Sequence, residues 1–385
     1  MSRTIVEVHA LQTVPPSNVN RDDTGSPKTA VFGGKRRARV SSQAWKRATR
    51  VAFESVLDKR DLGVRTKRIV DLVTERIVEL RPDLGEQATT LAEGVVKSTG
   101  LALKEQKRTK AGAEGTHQET GYLVFVSRRQ VELLADKAVE LAASDDVTAA
   151  LKAFKGKGLL KTDHAVDVSL FGRMVADDTD LNVDAAAQVA HAISVHAVDN
   201  EYDYFTAVDD VKHDAVDEDA GAGMIGTVEF NSSTLYRYAT VDVDRLQDNL
   251  GDAEATRRAV RAFVQAFVES MPTGKQNTFA NRTLPEAVVV TVRDTQSVNL
   301  VGAFEDAVTA GTDETRLHVA ARRLGERAGE VSDVLGQRPV ATWLVAIGDA
   351  RDALTKAWAD AEPTTLPGLY DAVGATVGER LGVPA

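Results

Sequence analysis

Apolar and polar residues alternate near the start of the chain and recur at three- and four-residue spacing further on, which predicts a mixed α+β protein. Ile5 to Leu11 reads as a strand, with Val6, Val8 and Ala10 on one face and Ile5, Glu7, His9 and Leu11 on the other, ended by Pro15 and Pro16. A polar loop runs from Asn20 to Lys28, and Ser41 or Ser42 is placed to cap a helix reaching about Leu57. From about Asp61 to Leu160 the spacing is mostly helical, as in Ile69, Leu72, Val73 and Ile77 and again in Val131, Leu134, Ala135 and Leu141. Between these lies a Gly/Lys/Thr-rich stretch, Lys104 to Thr120, that reads as a mobile loop. Ala165 to Met174 predicts a strand closing on a glycine turn, and Gln188 to Val198 alternates again. Thr227 to Val243 predicts two strands broken near Asn231-Ser232-Ser233, followed by a helix from Ala255 to Met271 and a valine-rich strand from Glu286 to Arg293. From about Phe304 onward the pattern is largely helical. Strands at both ends of the chain, separated by a helical block, predict one α+β domain with an insertion, its small sheet covered by helices on one face.

Charge changes this picture more than composition does. The 385 residues carry a formal net charge of −10, yet residues 28 to 50 hold eight basic side chains and no acidic one: Lys28, Lys35, Arg36, Arg37, Arg39, Lys46, Arg47 and Arg50. An acidic protein with one dense basic strip attracts polyanions locally. Within the expected helix, Gln43, Lys46, Arg47 and Arg50 fall at i, i+3, i+4 and i+7, a single face, while Trp45, Ala48 and Ala52 fall on another. The helix therefore docks by its apolar side and offers a row of donors outward. Ser41, Ser42 and the first backbone N–H groups of the helix add anion-binding capacity. Nucleic acid is the polyanion that fits, with an acidic partner protein as the alternative ligand of the strip.

Other motifs are weaker. Gly33-Gly34-Lys35 invites a phosphate-loop reading, but Thr29 and Arg36 stand where that motif requires glycine and serine or threonine. Asp22-Asp23 has the chemistry for a divalent metal, although paired carboxylates in such a loop more often form turns. His191 and His196 are five apart, which suits no metal-ligand spacing, and His9 has no nucleophile beside it in sequence. Tyr236 and Tyr238 share a strand face, fit for base stacking or for a core. The chain has no cysteine, so disulfides and Cys-based zinc sites are excluded, in keeping with a reducing cytoplasm. No long apolar run resembling a secretory signal or a membrane span occurs, and no metal or cofactor is expected. Residues 199 to 226 contain nine carboxylates against one lysine and read as an extended excursion.

Several of these stretches together resemble a known family. They are Pro16 to Gly25 (PSNVNRDDTG), Phe32 to Gln43 (FGGKRRARVSSQ) with Lys46-Arg47, Val168 to Met174 (VSLFGRM), Ala190 to Ile193 (AHAI), Asp203 to Asp210 (DYFTAVDD), and Phe230 to Ser233 with Tyr236 to Ala239. In this order along most of the chain they resemble the CasC-type backbone subunit of the type I-E CRISPR surveillance complex, Cascade, of the RAMP superfamily. The resemblance implies an RRM-like, ferredoxin-like palm from 1–60 and 184–385, a helical fingers insertion at 61–183 and a thumb at about 199–226. It implies a non-catalytic guide-RNA scaffold whose copies self-associate along the crRNA spacer, beside other Cascade subunits, and present it to target DNA. On that resemblance Lys28, Lys35, Arg39, Ser41, Gln43, Lys46, Arg47, Arg50 and Arg173 contact guide RNA. Met174 is an apolar wedge at a kinked nucleotide, or else ordinary core, and Lys275 and Gln276 add further guide contacts. The rival reading is a metal-dependent RNA-cleaving subunit using Asp22 or Asp23, as in related backbone subunits of another CRISPR class.

Overall fold

A computed structural model describes residues 3–107, 116–175, 178–207 and 224–383. The chain forms two compact units. The first comprises Met1–Ala52, Val189–Thr240 and Val260–Val377; the second comprises Phe53–Gln188, Val241–Ala259 and Gly378–Ala385. The stretch Val241–Ala259, assigned from sequence to the palm, thus groups with the helical block.

The first unit is built on one sheet. Its strand order is Glu362–Pro363, Ala341–Ala346, Ala287–Arg293, β1 (Ile5–Ser17), Met224–Asp242, Ala192–Ser194, β3 (Lys35–Val40) and β2 (Thr29–Phe32). β1 pairs antiparallel with Ala287–Arg293, setting His9 opposite Val289 and Leu11 opposite Ala287. Along β1 both alternating sets are buried: Val6, Val8 and Ala10 on one face, Glu7, His9 and Leu11 on the other. Helices therefore cover both faces of the sheet, where the sequence pattern predicts one. Leu11, Tyr236, Val289 and Leu344 pack against the helices Arg316–Asp333 and Gly348–Ala357 through Leu324, Ala328 and Leu354. The opposite face meets the helix Ala253–Glu269 through Arg237, whose guanidinium donates to the Phe267 carbonyl and, at 2.6 Å, to Gln12 Oε1.

Three predicted elements come out differently, each for a local reason. Met224–Asp242 is one continuous strand: of the polar residues expected to break it, Asn231 and Ser233 are buried, and Asn231 donates to Asn200 Oδ1 at 3.1 Å. Val166–Phe171 is a helix in place of the predicted strand; Val166, Val168 and Leu170 are buried together with Asp167 and Ser169, so no face stays polar to betray the period. Ala341–Ala346 is a strand inside the stretch expected to be helical. Tyr236 and Tyr238 belong to the core, at 2% and 7% exposure, and not to a stacking surface. His9 is fully buried with Nδ1 2.9 Å from the Tyr236 hydroxyl, so no solvent-facing acid–base role is open to it. Beside it, Glu7 pairs with Arg293 and accepts from Tyr238 and Thr291, each at 2.8 Å. Burial alone would raise the Glu7 pKa, but His9 and Arg293 more than offset this and hold it down at about 2.

The second unit is mostly helical. Ile69–Leu80, Ala88–Ser98 and Arg128–Ala142 bury Val73, Ile77, Leu91, Val95, Leu134 and Ala138 against one another. The last of these helices starts in a capping box made by Ser127 and Gln130. Gly63–Thr66 and Val124–Ser127 form one short antiparallel ladder. The expected Lys104–Thr120 loop is instead flanked by a second ladder, Leu103–Lys107 with Thr116–Thr120; residues 108–115 lie outside the described residues. Among the described residues no helix is long and apolar enough to cross a membrane.

Candidate nucleic-acid interface

The basic run folds into a hairpin and a helix. β2 and β3 pair through a two-residue turn at Gly33-Gly34, where φ is +57° and +70°, the double positive φ that a tight hairpin turn requires. Gly33 is also required sterically, since a Cβ there would stand 1.6 Å from the Glu305 carbonyl oxygen. Gly33 thus serves a close approach of protein to protein, while Gly34 serves the turn alone. α1 (Ser42–Ala52) follows directly, and Ser41 caps it, its Oγ accepting from Ala44 N at 3.3 Å.

The expected faces of α1 are present. Gln43 and Arg47 are exposed, Lys46 and Arg50 half-buried, and Trp45 and Thr49 buried on the far side. The Trp45 ring is fixed by Arg237, whose guanidinium carbon lies 3.8 Å from the ring centroid. Arg237 is in turn stacked on Phe267 at 4.6 Å and fully buried, which lowers its pKa to about 9 and leaves it charged at neutral pH. Burial also lowers the pKa of Lys46.

The loop before the hairpin is stitched to everything around it. Asn20 Oδ1 accepts from Ser41 N at 2.8 Å, and the Asn20 carbonyl accepts from Lys28 N at 2.9 Å. The Lys28 carbonyl accepts from Arg39 N at 2.9 Å, while Arg39 Nε donates to the Thr29 carbonyl. Arg39 also reaches exposed His191, its guanidinium 3.1 Å from His191 Nδ1. Burial, then Arg39 and then Lys28 depress the His191 pKa, so Lys28 and Arg39 form a positive pair that keeps the adjoining imidazole in its neutral form. Asn18 Nδ2 and Ser26 Oγ tie the loop to Glu229. Glu229 stands at the base of a hairpin that pairs Glu201–Ala207 with the start of Met224–Asp242. That hairpin occupies the expected thumb; residues 208–223 lie outside the described residues. Gly274 presses on Val19, where a Cβ would stand 2.1 Å from the carbonyl oxygen, which sets half-buried Lys275 and exposed Gln276 beside the same loop.

Ten of the twelve residues expected to contact RNA thus lie in the first unit: Lys28, Lys35, Arg39, Ser41, Gln43, Lys46, Arg47, Arg50, Lys275 and Gln276. Ser41 is buried and committed to the helix cap. Arg37, part of the basic run, is buried and donates to the carbonyls of Ser194, Phe304 and Glu305 at 3.0 Å each, so the exposed strip is smaller than the charge count implies.

Arg173 and Met174 belong to the second unit and point in opposite senses. Arg173 is 4% exposed and donates from Nε to the Leu181 carbonyl and from its terminal nitrogen to the Leu160 carbonyl, at 2.7 and 2.6 Å. Its guanidinium is thereby turned inward, with its pKa lowered to about 10 by burial, and does not present a phosphate donor at the surface. Met174 is 82% exposed, so it is not ordinary core. Backbone bonds between Arg173 and Val183 and from Val175 N to Asn182 Oδ1 hold the short segment that displays it.

Asp22 and Asp23 are exposed and border an open polar hollow of about 500 Å³ with Val19, Asn20, Arg21, Thr24, Gly25 and Gly274. Asp22 Oδ1 accepts from Thr24 N, Thr24 Oγ1 and Ser26 N at 2.7 to 3.0 Å, a turn-forming use that lowers its pKa. Sequence reasoning missed Asn20 and His191. Asn20 lies inside one of the motifs that carry the resemblance, but nothing local shows that its side chain meets the start of α1.

Comparison with known proteins agrees with this architecture. The family model described as CT1975-like protein (Cas_CT1975) matches residues 6–372. Among solved structures, a chain of a CRISPR RNA-guided surveillance complex, pre-nicking, is 36% identical, covers 97% of this chain and 100% of its own, and superposes with a TM-score of 0.78. A second, from a CRISPR RNA-guided surveillance complex, is 31% identical, covers 97% of this chain and 99% of its own, and gives 0.67. No curated protein matches. With the family model spanning nearly the whole chain and the fold shared at more than 30% identity, the chain belongs to the CT1975-like family of Cas proteins.

Proposed function

We propose that this protein is a non-catalytic guide-RNA scaffold, a CasC-type backbone subunit of a type I-E Cascade surveillance complex. Copies line up along the crRNA spacer and hold it for pairing with target DNA, in the cytoplasm and beside other subunits. The first unit is the RRM-like palm, the helical block the fingers, and the hairpin rooted at Glu229 the thumb. The observation that carries this reading is the mounting of the basic strip. Trp45 anchors α1 from below, Asn20 ties the loop to its first turn, and Lys28, Arg39, Gln43 and Arg47 are left facing out or at its edge. Such a site grips phosphates and reads no bases, as a scaffold for guides of any sequence requires. The buried Tyr236 and Tyr238 fit the same reading, because they leave no stacking platform there. The internal use of Asp22 favours a scaffold over a nuclease.

The test is the absorbance ratio at 260 and 280 nm of the protein purified with its guide co-expressed, with denaturing electrophoresis of the nucleic acid. One discrete short RNA in a large particle is expected. A protein spectrum free of nucleic acid in a small particle refutes the scaffold.

A further inference from the structure

Glu7 is fully buried in the first unit, and the guide-binding reading gives it no task. A buried carboxylate persists only where donors replace its water. Four donors do so here. One oxygen accepts from Thr291 Oγ1 at 2.8 Å and from Arg293 Nε; the other accepts from the Tyr238 hydroxyl at 2.8 Å and from the backbone N–H of Val298. The first three donors lie on strands of the sheet, but Val298 does not. Two residues on, Leu300 N donates to the Tyr236 hydroxyl at 3.2 Å, and that hydroxyl lies 2.9 Å from His9 Nδ1. Two backbone N–H groups at the entry to the turn Leu300–Phe304 are therefore held by side chains buried in the sheet. Asn299 caps the turn, its Oδ1 accepting from Val301 N at 3.0 Å, and the Phe304 ring lies 5.1 Å from that of Tyr236.

The exit of the same turn meets the basic hairpin. The Phe304 and Glu305 carbonyls each accept from Arg37 at 3.0 Å, and the Glu305 carbonyl is the group on which Gly33 closes. Just beyond, the Asp306 carbonyl accepts from Arg323 at 2.8 Å, and Val308 N donates to the Val195 carbonyl at 2.8 Å. Residues 298–308 are thus fastened on both sides of the contact with the hairpin. Lys35 and Arg36 stand exposed on that hairpin, beside half-buried Arg39. The place of these charges is referred through Arg37 to residues 304–305, and through residues 298–300 to Glu7 and Tyr236. Apolar cores tolerate repacking, whereas a fully satisfied buried polar network specifies one arrangement. Such a network suits a segment that must keep a surface in register.

We infer that Glu7 and Tyr236 are positioning residues for the guide-binding strip: they hold residues 298–305 as a back-plate on which Arg37 and Gly33 seat the β2–β3 hairpin. This rests on the guide-scaffold reading. The test uses the full chain as wild type, Tyr236→Phe, Arg37→Gln and the double variant. Hydrogen exchange is read peptide by peptide by mass spectrometry, and a labelled mixed-sequence single-stranded RNA is titrated by fluorescence anisotropy. Val373→Ala, a truncation of a buried side chain in the helix Leu366–Leu381, controls for lost stability. Tyr236→Phe should speed exchange in residues 298–305 and 29–40 but not in the helix Arg316–Asp333. It should also weaken RNA binding about 3- to 10-fold, the factor for one lost buried hydrogen bond. Val373→Ala should change neither the hairpin exchange nor the RNA affinity. The double variant should bind no more weakly than Arg37→Gln alone, because the two residues act along one line. Unchanged exchange at 29–40 in Tyr236→Phe overturns the inference, as does an equal rise in Val373→Ala or an additive double variant. Glu7→Gln, which keeps the shape and removes the charge, must show the same local exchange if it folds; Tyr236→Phe decides if it does not. A wild type that binds no RNA refutes the scaffold reading instead, and the exchange pattern alone then decides the positioning role.

Discussion

Two stretches of the first unit, side by side in sequence, treat their charges in opposite ways. Along β3 and α1 the side chains of Lys35, Arg36 and Arg47 stand out from the fold, while Trp45 and Arg37 are drawn inward to hold the platform. In the loop from Asn18 to Ser26 the charge turns back on its own chain: one oxygen of Asp22 receives two backbone N–H groups and a hydroxyl. Both stretches are polar, and both belong to the motifs that carry the family resemblance. Where their hydrogen bonds go separates a surface prepared for a ligand from a loop prepared to hold that surface in place.

The harshest way to break this contrast is to reverse the outward row. Lys46→Glu/Arg47→Glu/Arg50→Glu should remove nearly all guide RNA from the purified particle, while circular dichroism and Tm stay close to wild type. Retained RNA would put the site elsewhere. Next in size is the anchor beneath the row. Arg237→Met strips the cation from the Trp45 face and leaves Gln12 Oε1 without its donor, so we expect about 2–4 kcal/mol of destabilisation in denaturant unfolding. At the junction of the two stretches, Asn20→Ala removes the acceptor of Ser41 N and should cost about 1–2 kcal/mol, with weaker guide binding.

A pH titration sharpens the contrast further. His191 has a depressed pKa in the fold, so below the unfolded value of about 6.5 the unfolded chain binds more protons. By itself His191 therefore withdraws stability as pH falls. A phosphate beside Arg39 and Lys28 would favour its protonation, so guide binding should take up protons and tighten modestly below neutrality, an effect absent in His191→Ala. Calorimetry in buffers of different ionisation enthalpy reads this directly. The smallest effect belongs to the loop carboxylates. Asp22→Ala and Asp23→Ala should leave labelled complementary RNA as intact as wild type does in magnesium, with a slight fall in Tm for Asp22→Ala only. Regularly spaced cuts by the wild type, lost in either variant, would replace the scaffold with a nuclease.

Much of the architecture could be read from periodicity. The first half of β1, the valine strand, the long helices and the two faces of α1 follow from residue spacing alone, whereas β1 itself runs on through Pro15 and Pro16, expected to end it, as far as Ser17. What escaped was set by distant partners. Arg173 and Met174 are neighbours in one motif, yet the guanidinium is drawn inside by carbonyls eight and thirteen residues away in the chain while the thioether stands in solvent. Arg37 looks in sequence like its neighbours Arg36 and Arg39, but three carbonyls from two remote segments claim it. The helix at Val166–Phe171 and the unbroken strand at Met224–Asp242 misled for a related reason: full burial erases amphipathic period, and a buried partner rescues a turn-forming asparagine.

The hairpin turn bears on how this chain can vary over time. Gly33 and Gly34 have the same left-handed backbone, yet the first faces the Glu305 carbonyl, while a Cβ at the second would meet no atom within 4 Å among the described residues. Asparagine, which tolerates that backbone, has room at position 34 and none at position 33. Two identical letters therefore carry unequal mutational freedom: drift at the second leaves the strip where it is, whereas any change at the first pries β2 and β3 off the body of the protein.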